Sequence, residues 1–306
     1  MPRTFAYSPA ALVALPGLEE VAGQIAPLIA VLRAEQARRR AGIEIRCPAW
    51  KSLVFTGGPG TGKSRAARAV PCLYQQLGLL TYGKLTEIEA ADLVGAPPRH
   101  RGPGSRCGQA DGDLLMITGV HAWSALHGRG QHVLRCLYQA MTHEHRHSQN
   151  DELVIILAGQ AGPLSEVLAV TPALAARFPA VIDFPGYSPA QLAAVFTALA
   201  CEAGFTLTSD AMRKAAAVLA RAETGRASGN ARLAVQLLNY AATAQAGRIT
   251  TSPQPPDIAA LATICAADIP GRLDPAAAPA LDQRPGAASP GGGGVRQSTD
   301  RPRSFD

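Results

Sequence analysis

Eight consecutive residues, Gly57-Gly58-Pro59-Gly60-Thr61-Gly62-Lys63-Ser64, set glycines, a lysine and a hydroxyl at the spacing of a polyphosphate-binding P-loop. The glycines let successive backbone N–H groups converge on phosphate oxygens, and a helix starting beside them adds positive potential. In such a loop Lys63 reaches the β- and γ-phosphates and Ser64 holds Mg²⁺. The mechanism needs a strand on one side and a helix on the other. The apolar run Lys51 to Thr56 supplies the strand, and a helix is expected from Gly62. Nucleotide binding is the chemistry this pattern predicts.

Other reactive residues lack such company. His143-Glu144-His145-Arg146-His147 alternates histidines, but it falls where a loop joins a helix to a strand and has no second ligand cluster to complete a metal site. Six cysteines (Cys47, Cys72, Cys107, Cys136, Cys201, Cys265) are scattered with no two-residue spacing, which fits free thiols in a reducing compartment. There is no Gly-x-Ser-x-Gly elbow and no motif supporting a cysteine nucleophile.

The elements that must position the loop alternate in kind. Leu18 to Arg40 has helical apolar spacing, with Pro27 expected to bend it. Strands are expected at Leu85 to Glu89, Leu114 to Thr118 and Leu153 to Ala158, and helices after the P-loop and at Gln131 to Thr142. Pro71 should kink the helix after the P-loop. Such alternation implies an α/β fold with a parallel sheet covered on both faces. From Ser188 the chain reads as Ala- and Leu-rich helices (Pro189 to Ala203, Ser209 to Ala222, Asn230 to Ala246), and beyond Pro270 as a Pro-, Gly- and Arg-rich tail. The expected division is an N-terminal extension 1–10, a nucleotide-binding domain 11–187, a small all-α lid domain 188–270 and a disordered tail 271–306.

The whole chain, 306 residues with 47% hydrophobic and 17% charged, can bury a sizeable core. No apolar stretch approaches the roughly 18 residues of a membrane helix, and the Ala10 to Leu15 patch is too broken by Pro9 and Pro16 for a signal peptide. Membrane insertion is not expected, and the cytoplasm is the expected compartment. The net charge of +6 includes a cluster at Arg38, Arg39 and Arg40, which reads either as a solvated helix face or as a polyanion-steering patch. Aromatics are 5% of the chain and do not interleave with basic residues, so nucleic-acid binding is unsupported.

The chain resembles the AAA+ family, in its CbxX/CfqX-like branch of red-type rubisco activases and type VII secretion ATPases. The segments that carry the resemblance are Leu15-Pro16-Gly17-Leu18-Glu19-Glu20-Val21, Leu53-Val54-Phe55-Thr56-Gly57, Ala91-Asp92-Leu93-Val94-Gly95 and Val154-Ile155-Ile156-Leu157-Ala158-Gly159. Further on come Arg177-Phe178-Pro179, Phe184-Pro185-Gly186-Tyr187-Ser188 and Gly229-Asn230-Ala231-Arg232. All fall in family order between about residues 11 and 270. The resemblance implies ATP and Mg²⁺ as cofactors and a P-loop AAA+ parallel-sheet domain followed by a helical lid. It implies Arg177 as an arginine finger acting in trans, Arg232 as the sensor-2 arginine, and Gly17 and Leu18 beside the adenine. It also implies a homo-oligomer or a mixed ring with an active AAA+ relative, acting on a protein client.

Two departures bear on activity. The family's second core strand ends in an Asp-Glu pair that organises the metal and polarises water. Here Leu114-Leu115-Met116-Ile117 runs into Thr118-Gly119, which bring no carboxylate. Thr118 offers a hydroxyl only, His121 reads as a base or as a loop histidine, Asp111 and Asp113 lie at the wrong end of the strand, and Asp151-Glu152 precede theirs. The segment Ala96 to Asp113, with Pro97-Pro98-Arg99-His100-Arg101-Gly102-Pro103-Gly104, stands where the family carries an aromatic pore loop. Weak or absent hydrolysis is therefore expected. The alternatives are an active ATPase with an unrecognised acid and a stand-alone P-loop kinase.

Overall fold

A computed structural model describes residues 16–43, 51–80, 83–94, 114–120, 123, 127–142, 153–223, 229–251 and 257–273. Residues 274–306 of the tail, the Ala96 to Asp113 segment, His121, the histidine run at 143–147 and residues 151 and 152 lie outside the described residues; Leu273, expected in a disordered tail, is buried in the core.

Five parallel strands, β1 (Leu53–Gly57), β2 (Leu85–Glu89), β3 (Leu114–Thr118), β4 (Val154–Gly159) and β5 (Ala180–Phe184), form one sheet in the order β2-β3-β4-β1-β5. In the three central strands every residue but the last is buried, as expected where helices cover both faces. Their alternate side chains divide into two cores. Phe55, Met116 and Ile156 pack with α1 (Glu19–Arg40) and with α2 (Lys63–Ala67) and α3 (Val70–Gln76), which follow the P-loop. Leu115, Ile117, Ile155 and Leu157 pack with α4 (Ala90–Val94), α5 (His127–Thr142) and α6 (Ala161–Ala169). Because all strands run the same way, the ends of β1 to β5 share one edge, where ligands of such sheets bind.

The four predicted strands sit where their apolar runs placed them, to within two residues. The expected kink at Pro71 is a full break: the helix stops at Ala67 and restarts at Val70, with Pro71 in the new first turn, where its missing N–H costs nothing. Pro27 stands inside α1, which continues to Arg40. Strand β5 escapes sequence reading because it is an edge strand, with Val181 and Asp183 turned to solvent. The side-chain amide of Gln24 in α1 pairs with it twice, donating to the Asp183 carbonyl (3.0 Å) and accepting from the Asp183 N–H (2.8 Å).

After a one-turn helix α7 (Pro172–Ala175) and β5, the helices α8 (Pro189–Glu202), α9 (Ser209–Glu223) and α10 (Ala231–Thr251) pack together. Ser188 starts α8 with a reciprocal capping box to Gln191. The lid is helical as expected, with one addition: β6 (Thr206–Leu207) and β7 (Thr263–Ile264), the latter after α11 (Ile258–Ala262), form a two-residue parallel ladder. Arg248 grips the buried Asp268 through two bonds (2.8 and 2.9 Å), which fixes the chain after β7 against α10.

Candidate functional site

The P-loop leaves β1 at the common strand edge and hands over to α2 at Lys63. Gly60 (φ +76°) and Gly62 (φ +93°) take left-handed backbone angles that side-chain-bearing residues avoid. A Cβ at Gly60 would lie 2.7 Å from the Gly229 carbonyl, and one at Gly62 2.6 Å from the Tyr187 hydroxyl. Glycine is thus required both for the turn and for the approach of what lies above it. Thr61, buried, donates to the Gly58 carbonyl (3.0 Å) and sets the curvature from inside.

The Lys63 ammonium folds back over the loop, donating to the carbonyls of Gly57 (2.8 Å) and Gly58 (2.5 Å) and to the Thr61 hydroxyl (3.3 Å). Burial holds its pKa below the ordinary lysine value of 10.5, and the positive charge of Arg232 adds to the shift. Two neighbouring cations, with which no carboxylate pairs among the described residues, form a site for an anion.

The loop is held from above by the hinge and the lid. Tyr187 donates from its hydroxyl to the Thr61 carbonyl (3.2 Å), and its ring lies against Gly17. Asn230, buried and at φ +48°, ties both sides together: its Oδ1 accepts from the Tyr187 N–H (3.0 Å) and its Nδ2 donates to the Pro59 carbonyl (3.1 Å). The next N–H, of Ala231, donates to the Gly60 carbonyl (3.1 Å). Between loop and lid lies a cavity of about 740 Å³. Among the described residues, Lys63, Arg65, Arg68 and Arg232 line it with Glu202 as the one acid, so that lining is positive. Arg65 pairs with Glu202, joining α2 to α8, and Arg68 pairs with Glu87 of β2 (3.3 Å). The apolar wall is Leu18 with Val195, Leu199 and Val235.

The sequence-predicted residues Pro59 to Ser64, Leu18 and Arg232 come together around this cavity. Gly57 and Gly58 lie just beneath it as acceptors for Lys63. Gly17 is set behind Tyr187 and does not line the cavity, whereas Pro16 and Leu18 do. Arg177 is exposed outside it, its guanidinium 6.0 Å above the Tyr138 ring. Thr118, half-buried, ends β3, and Gly119 follows at φ +68°. Sequence reasoning missed Tyr187 and Asn230 as clamp residues, the Arg65–Glu202 pair, and Gln160. Gln160 follows β4, the strand between β1 and β3, at the sheet edge from which the P-loop also leaves, and it does not line the cavity. Its signal was there to read: a polar residue directly after a wholly apolar run.

The cradle fits a triphosphate: glycines where a Cβ would fill the space, two facing cations and an enclosing lid. For Mg²⁺ the chain brings the Ser64 hydroxyl to the cavity. Among the described residues no three His, Cys, Asp or Glu side chains gather as a metal site. None of the described helices is long and apolar enough to cross a membrane, and Cys72, Cys136, Cys201 and Cys265 are free thiols.

The depressed Lys63 has a measurable consequence. A polyphosphate set between Lys63 and Arg232 raises the Lys63 pKa, so binding takes up protons as pH approaches 10.5 from below. Affinity then falls as pH rises through the lowered value of the free protein. Without ligand the sign is the opposite: the unfolded chain binds the extra proton in that window, so folding stability rises with pH there. Calorimetric titration with ATP at about pH 9.5, in buffers of different ionisation enthalpy, should show uptake in the wild type and none in Lys63→Met.

Residues 188–279 match the family described as the AAA lid domain. The chain is 31% identical over 200 residues to the Stage V sporulation protein K of Bacillus subtilis (strain 168), covering 65% of this chain and 61% of that protein, so it spans less than two thirds of that relative. It is 30% identical over 259 residues to the protein CbbX of Cereibacter sphaeroides, covering 83% of this chain and 82% of that one. With the ESX-1 secretion system protein EccA1 of Mycobacterium leprae (strain TN) it shares 31% identity over 243 residues, 74% of this chain and 41% of that protein.

Proposed function

The chain belongs to the CbxX/CfqX-like branch of the AAA+ ATPase family, and from that membership we propose that it is an ATP-binding subunit of a ring-type remodelling or secretion-associated assembly with weak hydrolysis of its own. The observation that carries the reading is the positive cavity between P-loop and lid, set beside a β3 that ends in Thr118 and Gly119 with no carboxylate. In this reading Gly57 to Ser64 hold the triphosphate, Ser64 takes Mg²⁺, Leu18 borders the adenine, and Arg232 contacts the phosphates from the lid. Arg177, exposed and away from its own cavity, serves the site of a neighbouring subunit, whether a second copy or an active relative. The match over 188–279 supports a boundary between nucleotide domain and lid near Tyr187. A cytoplasmic location and a protein client complete the proposal.

Bound nucleotide supplies the charge that draws Lys63 off the Gly57 and Gly58 carbonyls. Arg232, on a lid already tied to the loop through Asn230 and Ala231, would hold the phosphates from the side opposite Lys63. The chain's contribution is therefore a conformational state set by occupancy, with slow turnover resetting it.

Typical enzymes turn over at about 10 s⁻¹. The loss of a placed general base removes about 10²- to 10⁴-fold, so phosphate release at about 0.1 s⁻¹ or slower is expected, with growth in mass on adding ATP seen by light scattering. Turnover on the order of 10 s⁻¹ that Lys63→Ala abolishes would refute the weak-site reading.

A further inference from the structure

Resting on the ATP-binding reading above, we propose that the residual hydrolysis of this protein runs through Glu89, whose carboxylate replaces the one missing from β3. Glu89 ends β2, the strand hydrogen-bonded beside β3, and stands in register with Thr118. Its side chain leans back over the end of β3. A Cβ built on Gly119 would lie 3.5 Å from Glu89 Cγ and 3.6 Å from Glu89 Oε1. The carboxylate thus lies within van der Waals contact of where a side chain on residue 119 would begin. The φ of +68° at Gly119 disfavours a larger residue there.

The face is also the right one. Residues two apart on a strand share a face, so Glu89 lies on the side of Glu87, whose carboxylate pairs with Arg68 at 3.3 Å. Arg68 lines the nucleotide cavity. Met116, the register partner of Glu87, packs in the same core as Ala66 and Ala67 of the P-loop helix. The face that carries Glu87, Glu89, Met116 and Thr118 is therefore the face of the phosphate site.

Distance decides how well Glu89 can act. It starts one strand, about 4.8 Å, further from the P-loop than a residue on β3 would. The side chain reaches back across that gap as far as Gly119, at the end of β3. Glu89 is exposed, so water reaches its carboxylate. In the reaction Glu89 accepts one proton from a water whose oxygen bonds to the γ-phosphorus as the bond from that phosphorus to the bridging oxygen breaks. The electron pair of the broken bond stays with the departing diphosphate, and Glu89 returns its proton to orthophosphate. Glu89 acts here as a base on water and leaves the metal to Ser64 and the triphosphate.

The experiment uses the full chain loaded with substoichiometric radiolabelled ATP and Mg²⁺, with bound nucleotide separated as ATP and ADP over time. Wild type should convert ATP to ADP. Glu89→Gln should retain ATP, with conversion slowed at least about 10-fold, the lower side of what a general base contributes. Glu89→Asp should fall between the two. Affinity for Mn²⁺–ADP, read from the loss of the free Mn²⁺ electron paramagnetic resonance signal, should stay within about twofold of wild type in Glu89→Gln, as expected of a residue that does not hold the metal. Conversion by Glu89→Gln at the wild-type rate overturns the inference and leaves the ATP-binding reading intact. So does a wild type that binds ATP and never converts it. A tenfold loss of Mn²⁺–ADP affinity in Glu89→Gln overturns the base role in favour of metal ligation. A wild type that retains no nucleotide removes both readings together.

Discussion

Replacing Lys63 with alanine should weaken ATP binding by about 10- to 100-fold, the value of one to two charge-assisted bonds to phosphate at about 1.5–3 kcal/mol in total. The argument is geometric. The ammonium is at the mouth of the loop, spending its donors on the Gly57 and Gly58 carbonyls, and among the described residues no carboxylate pairs with it. A phosphate oxygen is a stronger acceptor than either carbonyl, so the exchange favours the ligand. Fluorescence anisotropy with a labelled ATP analogue measures the effect. Binding within twofold of wild type would show that the loop is not the phosphate site.

Tyr187→Ala should cost about 3–5 kcal/mol of folding stability, as buried aromatic truncations do. For a domain of this size that is a drop of roughly 6–20 °C in melting temperature. Tyr187 is 6% exposed, its ring fills the approach to Gly17 and Gly62, its hydroxyl bonds to the Thr61 carbonyl, and its N–H bonds to Asn230. Truncation therefore opens a cavity at the point where hinge, P-loop and lid meet. Tyr187→Phe keeps the ring and loses one bond, so a cost of about 1 kcal/mol is expected. Burial raises the hydroxyl's pKa, which keeps it a donor across the neutral range. Differential scanning fluorimetry of the two variants separates packing from hydrogen bonding. Equal losses would show that the hydroxyl, and not the ring, organises the junction.

The parts of the fold written in consecutive apolar residues were legible. β3 and β4 are unbroken runs because both their faces are buried, and the P-loop is a local pattern whose meaning depends on its immediate neighbours. β5 was not legible: its five residues alternate between core and solvent, between Pro179 and Pro185, and too few point inward to mark a strand. Helix α6 was missed for a related reason. Gly162 and Pro163 read as a turn, yet they occupy a first helical turn, where proline fits. That Thr118 and Gly119 bring no carboxylate is read directly from the sequence. The acid beside them was not legible, because Glu89 is near Gly119 only through the pairing of β2 with β3, and strand order is a tertiary fact. Asn230 likewise gained its meaning from the lid folding back onto Pro59.

The pairing of Gln24 with the Asp183 backbone has a use beyond holding α1 in place. A sheet margin with free donors and acceptors invites a foreign strand to zip on, which ends in fibrils or swapped dimers. One glutamine amide imitates a single residue of such a strand and then stops, so the ladder has no next rung. At Asp183, then, the β5 margin offers no free backbone pair for a foreign strand to extend.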